Sequence, residues 1–235
     1  MRNPEQFFNG VNQHIASKAA MSLKKIRVKI YQDFLDHNPN LQAYFWVRNN
    51  IDYSLQYTSN IKYSMGYDSM TAKQSIQIIH PDHVGTFYRI FLALSSFCAS
   101  GITGRSLLNF SFVINLPIKD AHNKYWYVRQ RNSACELNEK NQVLSFLSWH
   151  DVLSPYHGEP VTIQCYSNQG VRVFEIEEAI KKQADYYKAL PLTKRQQEIL
   201  KIYIQLNEPD AYEVAHFLGL AKETIYTHNR DMLQR

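Results

Sequence analysis

The sequence is poor in the features that mark several protein classes. Its 235 residues contain three cysteines, an odd number at wide spacing without a Cys-x-x-Cys pair, so neither a disulfide framework nor a zinc site is indicated. No apolar run reaches the roughly 18 residues that a membrane helix needs, and the first residues lack the apolar core of a signal peptide. We therefore expect a soluble protein without membrane contacts in the reducing cytoplasm.

Catalytic signatures are also missing from the sequence. It has no phosphate-binding glycine loop, no Ser-His-Asp constellation, no paired-carboxylate motif and no acidic receiver pocket. His80 and His83 supply two metal ligands at most, and an exposed helix start explains both. No haem signature is present, and no cysteine stands in the Asn-Cys-Arg context of flavin-binding photoreceptors. The expectation is a protein that is not an enzyme and holds no metal.

Charge is distributed unevenly along the chain. The net charge is +5, but residues 190–235 hold six basic and six acidic side chains and are neutral. The first 48 residues carry seven basic and three acidic side chains. This N-terminal excess is either a solvated helix face, which is favoured, or an auxiliary surface that contacts phosphates.

Residues 192–235 show a pattern of three short helices. Thr193 is a suitable N-cap for the first helix, and the turn-prone segment Asn207-Glu208-Pro209-Asp210 breaks that helix. The second helix is predicted over 211–218, where Gly219 permits a sharp turn. The third begins near Lys222. Its inward positions are Ile225, His228 and Met232, and its outward positions are Tyr226, Thr227 and Arg230.

Four short segments of this region carry a family resemblance: Leu192-Thr193, Glu198-Ile199-Leu200, Glu213-Val214-Ala215 and Thr224-Ile225. Together they resemble the LuxR-type helix-turn-helix domain of bacterial transcription regulators. The resemblance implies binding of double-stranded DNA in the major groove, and a homodimer, because one recognition helix contacts too few base pairs. Ala221 stands where the family usually has an N-cap serine. The pattern ends before the family's short fourth helix, so dimerisation through that helix is not expected. The implied DNA-binding residues are Lys222 and Thr224 near phosphates, and Tyr226, Thr227 and Arg230 at base edges.

The upstream chain alternates between helix and strand patterns. A helical stripe over 7–37, with a possible break at Gly10, either covers a sheet of its own chain, which is favoured, or pairs with a second subunit. In the first long strand, Phe110, Phe112 and Ile114 alternate with Ser111 and Asn115, so one face is expected to be buried and the other wetter. The predicted elements are strands at 43–47 and 54–58, helices at 60–66 and 81–97, and strands at 107–116, 124–135 and 142–152, the last three as an antiparallel meander.

This order of helices and strands is accompanied by the segments Met65-Gly66-Tyr67, Ile79-His80-Pro81-Asp82 and Trp149-His150-Asp151-Val152. The order and these segments together resemble a PAS domain. The resemblance implies a sensory or dimerisation module in which a curved sheet and its helices enclose a pocket for a small-molecule ligand. Tyr127 and Arg129 share one face of a central strand and are the candidate ligand-binding residues. If that face is inward, Arg129 can bind an acidic ligand; if it is outward, which is favoured, it is a surface residue.

Between the two regions, 161–166 and 171–174 are predicted to form a hairpin, followed by a helix that could act as a lever or a dimer seam. The predicted segments are an N-terminal helical segment, 1–38, a PAS-like sensor domain, 39–154, a connector, 155–190, and the helix-turn-helix domain, 191–235. The predicted class is α+β: a PAS-like antiparallel five-stranded sheet with helices, followed by a small all-α helix-turn-helix domain.

The favoured interpretation is a sequence-specific DNA-binding transcription regulator controlled by a PAS-like sensory domain. The rival is a small-molecule-sensing or protein-interaction module whose terminal helices dock a partner protein and not DNA. The neutral charge of residues 190–235 favours the rival, because DNA binding usually leaves a basic footprint.

Overall fold

The computed structural model describes residues 23–49, 54–99, 107–138, 143–189 and 210–234, together with Arg195. The chain divides into two compact units, Met1–Lys182 and Gln183–Arg235. No helix within the described ranges is long and apolar enough to cross a membrane. The helices are α1 Leu23–Asp36, α2 Ile61–Met65, α3 Ala72–Gln77, α4 Pro81–Ala99, α5 Phe174–Ala189, α6 Ala211–Leu218 and α7 Lys222–Gln234, and the strands are β1 Ala43–Asn49, β2 Leu55–Ser59, β3 Phe110–Lys119, β4 Tyr125–Leu137, β5 Val143–Pro155 and β6 Thr162–Ser167.

The first unit is built on one antiparallel sheet of six strands in the order β2-β1-β5-β4-β3-β6. The predicted meander is present as β3, β4 and β5. The prediction of five strands was wrong, because Thr162–Ser167 pairs with β3, placing Cys165 opposite Phe112 and Ile163 opposite Ile114. The second arm of the predicted hairpin makes one isolated bridge, between Tyr166 and Arg172, before α5 begins. Pairing with β3 satisfies backbone groups that a sheet edge would leave open.

The third strand includes Pro117 and ends at Lys119, beyond the predicted strand end at residue 116. Pro117 lies opposite Tyr127 of β4, whereas the pairing of β3 with β6 ends at Asn115 and Thr162. Proline lacks an N–H to donate, so it fits a strand only where one side needs no ladder bond. Its carbonyl accepts a hydrogen bond from the His80 N–H at 3.1 Å, which fixes the chain just before α4.

One side of the sheet, called the outer face, carries α1. Tyr31 and Phe34 of α1 pack on Trp149 with ring centroids 5.4 and 5.8 Å away, and Tyr31 also contacts Phe45 at 5.8 Å. The described part of the N-terminal helix thus covers its own sheet, as favoured; residues 1–22 and the break at Gly10 lie outside the described residues.

The opposite side, called the inner face, carries Tyr44, Trp46 and Arg48 of β1. The Arg48 guanidinium lies 4.9 Å from the centroid of the Phe91 ring of α4. Helices thus contact both faces of the sheet.

The expectation that one face of β3 is exposed to water was wrong for Ser111, which is 1% exposed. Its hydroxyl is hydrogen-bonded to that of Ser133, which is how a buried polar side chain is accommodated.

Helix α3 was not predicted. Thr71 caps it by accepting a hydrogen bond from the Gln74 N–H at 3.2 Å, while the Gln74 side chain accepts one from the Thr71 N–H at 2.8 Å. This reciprocal capping box is written in the sequence as Thr-x-x-Gln.

In the second unit, α6 and α7 are joined by a sharp turn. Asp210 caps α6 through the N–H groups of Tyr212 and Glu213, and Gly219 ends it in the left-handed conformation at φ 63°. Val214, Ala215 and Ile225 are the buried contacts between the two helices. Apart from Arg195, the first helix predicted for this region lies outside the described residues.

A buried carboxylate fastens the start of α5 to β6. The Glu177 side chain is fully buried and accepts two hydrogen bonds from Arg172, both at 2.8 Å, and one from the Cys165 N–H at 3.0 Å. Burial alone raises the pKa of Glu177, but these hydrogen bonds together hold it below its usual value. We call this group of three residues the Glu177 clamp.

Replacing Glu177 with Gln should lower the free energy of unfolding by about 2 kcal/mol, because two charge-assisted hydrogen bonds are weakened. The matched control is Glu178→Gln, which alters an exposed pair with Lys181 and should cost under about 0.5 kcal/mol. The Glu177 carboxylate stabilises the fold only while ionised, so the difference between wild type and variant should shrink as the pH falls below about 4. Urea unfolding at several pH values measures this, and equal losses in the two variants would contradict the clamp.

Candidate functional site

A cluster of polar side chains lies in the middle of the inner face. The cross-strand register brings it together. Tyr44 lies opposite His150, which lies opposite Gln130, and two residues along the strands Ser148 lies opposite Asn132. Since paired positions on neighbouring strands point to the same side, all five side chains share the inner face. We call these five residues the inner polar cluster.

Asn132 is the hub of the cluster. Its side-chain oxygen accepts hydrogen bonds from Gln130 at 2.9 Å and from the Ser148 hydroxyl at 2.7 Å, and its amide nitrogen lies 3.4 Å from the Phe112 carbonyl. Gln130, Asn132 and Ser148 are all buried. These bonds fix the orientation of the amides in the core.

His150 is fully buried at the end of this network, and neither ring nitrogen makes a hydrogen bond of good geometry to any described residue, although the Ser148 and Tyr44 backbones lie beside the ring. Its ring stacks on Tyr44 with centroids 4.4 Å apart and an angle of 2°, and it lies 4.1 Å from the Trp46 ring. Burial lowers the pKa of His150 from 6.5 to about 3, because water is excluded from the charged form; the adjacent Ser148 and Tyr44 backbones oppose this less strongly. The ring is therefore a neutral donor and acceptor at physiological pH.

Like the two ring nitrogens of His150, the Tyr44 hydroxyl has no hydrogen-bond partner among the described residues. Burial raises its pKa, so it is an uncharged phenol. A buried donor or acceptor without a partner costs about 1–3 kcal/mol, and such groups in a core call for a water or ligand that pairs with them. Chemically, the cluster is suited to a small, uncharged and flat molecule that can both donate and accept hydrogen bonds.

The two ligand-binding residues suggested by the sequence lie away from this cluster. Arg129 lies opposite Asp151 and Asn115, on the outer face, and the Tyr127 hydroxyl donates to the Pro160 carbonyl at 2.9 Å. Both side chains are half-buried. The structure thus does not bring them together with the inner polar cluster.

The histidines at the start of α4 take part in an aromatic contact. His83 is hydrogen-bonded through its Nε2 to the Tyr156 hydroxyl at 2.6 Å, and the His80 ring lies 4.5 Å from Tyr125. Across the described part of the chain, His, Cys, Asp and Glu side chains do not gather in groups of three that could hold a metal ion.

The candidate DNA-contacting residues lie on α7. Tyr226 is 53% exposed, Lys222 and Thr227 are exposed, and Thr224 is half-buried. The Lys222 ammonium lies 5.3 Å from the centroid of the Tyr226 ring, so these two side chains form one cationic and aromatic surface. Ile225 is fully buried behind them. Arg230 belongs to the helix backbone, but its side chain, like that of Met232, lies outside the described residues.

Sequence reasoning missed four members of the inner polar cluster and used the fifth, His150, only as part of a family pattern. A signal was present in β4: Gln130 and Asn132 share one face of a strand while Arg129 and Arg131 share the other. Polar residues on both sides of a central strand show that neither face is purely apolar. Their partners on β1 and β5 became visible only through the register.

No protein-family model and no curated protein sequence matches the chain. Similar solved structures include the N-terminal domain of a diguanylate cyclase with a PAS/PAC sensor from Marinobacter aquaeolei, at 13% identity and TM-score 0.36, covering 48% of this chain and 95% of that one. They also include VqmA from Vibrio cholerae with ligand and DNA, at 8% identity, and phage VqmA with DPO, at 13%; both have TM-score 0.31 and cover 85% of this chain and 78% of theirs. The neighbours thus include PAS-domain proteins and a LuxR-type regulator, but at these TM-scores they do not establish a shared fold or function.

Replacing His150 with Phe keeps the stacked ring and removes both unpartnered nitrogens. The wild-type ring takes up a proton only on unfolding, so its contribution to stability is full above the unfolded pKa of about 6.5 and falls as the pH drops towards 3. Between about pH 7.5 and 5, the wild type should lose about 2 kcal/mol more of its unfolding free energy than His150→Phe. Urea titrations measure this, with the exposed His157→Phe as control; identical pH dependence in wild type and His150→Phe would disprove a neutral, buried His150.

Proposed function

We propose that the chain is a sequence-specific DNA-binding transcription regulator, and that its six-stranded unit is a PAS-like sensor for a small molecule. The observation that carries the DNA-binding part is α7: Ile225 anchors it on α6, while Lys222, Tyr226 and Thr227 of the same helix face solvent. Readout of the DNA major groove requires a helix that packs on the protein with one face and presents polar side chains on the other.

The proposed reader consists of α6, the turn at Gly219 and α7, arranged as a LuxR-type helix-turn-helix. In this proposal Tyr226, Thr227 and Arg230 meet base edges, and Lys222 and Thr224 meet phosphates. Arg230 is the residue best suited to guanine, since its guanidinium can donate two parallel hydrogen bonds to the O6 and N7 atoms. Because one such helix contacts few base pairs, the active form is a homodimer on a two-fold symmetric site.

The sensing part of the proposal rests on the inner polar cluster. Three of its polar atoms, the Tyr44 hydroxyl and both His150 ring nitrogens, are buried without hydrogen-bond partners in the part of the chain that the structure describes. The surrounding groups are neutral amides, a hydroxyl and aromatic rings, so the ligand is uncharged and flat, and no metal, haem or flavin is invoked. No catalytic step belongs to this proposal, and the protein acts in the cytoplasm, where the DNA is.

Helix α5 is the connection that this proposal uses between sensing and DNA binding. The Glu177 clamp fixes its start to β6, and β6 lies beside β3, whose Phe112 carbonyl faces the Asn132 amide. A ligand that draws Asn132 away from this position acts on the strand next to the clamp. The two states thereby differ at α5, the helix that leads towards the reader.

The competing function is docking of a partner protein by the terminal helices. Tyr212 and Phe217 on α6 favour it, because they are 62% and 58% exposed and large exposed apolar side chains mark interaction surfaces. The two functions differ in their response to DNA. Selection from random DNA fragments enriches a sequence in the first case and none in the second.

Replacing Arg230 with Ala should weaken binding to the selected sequence by about 10- to 100-fold, because one base pair loses its bidentate contact. Binding to unrelated DNA should fall far less. The matched variant Arg230→Lys keeps the charge and loses the bidentate geometry, so it should retain non-specific binding and lose part of the specific binding. Fluorescence titrations at one fixed salt concentration measure both affinities. An unchanged ratio of specific to non-specific affinity in Arg230→Ala refutes the reading role.

Freshly purified protein is expected to carry a small molecule that native mass spectrometry detects as added mass and that is released on denaturation. Asn132→Leu removes the hub of the inner polar cluster and should abolish the added mass. Asn40→Leu changes an exposed asparagine and should retain it. A molecule that is retained equally by both variants would be bound elsewhere, and the cluster would not be the sensing site.

A further inference from the structure

Strand β2 forms one end of the sheet, and one of its two sides faces away from β1. Within the described part of the chain, the strand order gives β2 a single neighbour. At the other end of the sheet, β6 makes a further bridge, between Tyr166 and Arg172. In an antiparallel pair, some N–H and C=O groups of each strand point away from the other strand. The side of β2 that faces away from β1, which we call the β2 edge, therefore offers backbone donors and acceptors to another strand.

An open cavity of about 430 Å³ adjoins the β2 edge, where the chain leads from β2 into α2. It provides space for side chains of a molecule that docks here. Its lining consists of the last part of β2, the start of α2 and one residue beyond it: Thr58, Asn60, Ile61, Lys62, Tyr63 and Asp68. Tyr57 of β2 and Tyr63 of α2 are 38% and 59% exposed. Exposed aromatic side chains of this size are typical of surfaces that another protein covers.

The cavity carries one cation and one anion, and both are accessible. The Lys62 ammonium lies 2.6 Å from the Asp68 carboxylate, and the two side chains are 77% and 83% exposed. An ion pair this exposed contributes little to stability, so each member can exchange its partner for an equivalent group on another molecule. A docking surface of one charge sign would be attracted by one member and repelled by the other. A surface that carries the same two charges, related by two-fold symmetry, can oppose each with its complement.

We propose that the β2 edge is the interface between two copies of this chain, which pair antiparallel through β2 so that the sheet continues from one subunit into the other. Two strand edges complement each other, because each offers both the donors and the acceptors that the other needs. Lys62 of each copy then pairs with the partner's Asp68. This inference rests on the proposed function, which requires a homodimer, and it names the surface through which that homodimer forms.

The test measures the molecular mass of the full chain by sedimentation equilibrium without DNA. The wild type should be dimeric at micromolar concentration. Lys62→Glu makes this surface acidic in both copies and Asp68→Lys makes it basic in both, so each variant alone should dimerise about tenfold more weakly or worse. An equimolar mixture of the two variants should restore dimers of wild-type strength, because the acidic surface then meets the basic one. Lys25→Glu, at an exposed position of α1, should dimerise as the wild type does.

Amide hydrogen exchange shows whether the strands themselves pair. The β2 N–H groups that point away from β1 should exchange slowly in the wild-type dimer and fast in Lys62→Glu, because pairing across the interface is lost. The proposal is overturned if either single variant dimerises as the wild type does, if the mixture restores no dimers, or if β2 exchanges equally fast in dimer and monomer. A wild type that stays monomeric up to about 100 µM also overturns it, and the β2 edge is then left to an extended segment of another protein.

These outcomes are distinguishable from a failure of the proposed function. A wild-type dimer that dissociates in both single variants, but selects no sequence from random DNA fragments, supports the interface and refutes DNA reading. A wild type that selects a sequence, while both single variants remain dimeric, supports DNA reading and refutes the interface.

Discussion

The constraint on which the first unit depends is that its sheet is packed against helices on both faces while its central strands carry polar side chains. A polar group in such a place needs a partner, because water cannot reach it. Asn132 meets this need within the protein through Gln130 and Ser148. Among the described residues, His150 and Tyr44 do not find such a partner, and they mark the candidate ligand site on the inner face. In the proposed function, the same physical rule separates the groups that maintain the fold from those that bind a ligand.

The two faces of the sheet carry different kinds of polar group. The inner face carries neutral rings and amides, with the His150 pKa lowered far enough to remove the charge. On the outer face the Arg131 guanidinium lies 5.5 Å from the centroid of the Tyr166 ring, and Lys24 is paired with Glu136. Strand β4 contributes to both faces, because alternate residues point to opposite sides.

Much of the fold followed from the sequence because local signals decide it. Alternation in β3, the Pro81-Asp82 helix start and Gly219 each predicted the element or turn that is present. The missing parts depend on distant contacts. Strand β6 pairs with β3 and not with β5, the strand that precedes it in the chain. Pro117 is tolerated in β3 because β6 is short and does not extend to it. The inner polar cluster could not be predicted for the same reason. The register that brings Tyr44, His150 and Gln130 together depends on pairing between strands that are distant in the sequence.

His150, in the middle of the sheet, also limits the kind of signal to which the proposed sensor can respond. With a pKa of about 3, His150 remains uncharged throughout the range of acidity that living cells tolerate. Acid stress would leave this part of the molecule electrically unchanged, although histidine is the residue that proteins most often use to detect it. Under the proposed function, this site responds to the arrival of a particular chemical and not to the proton concentration around it.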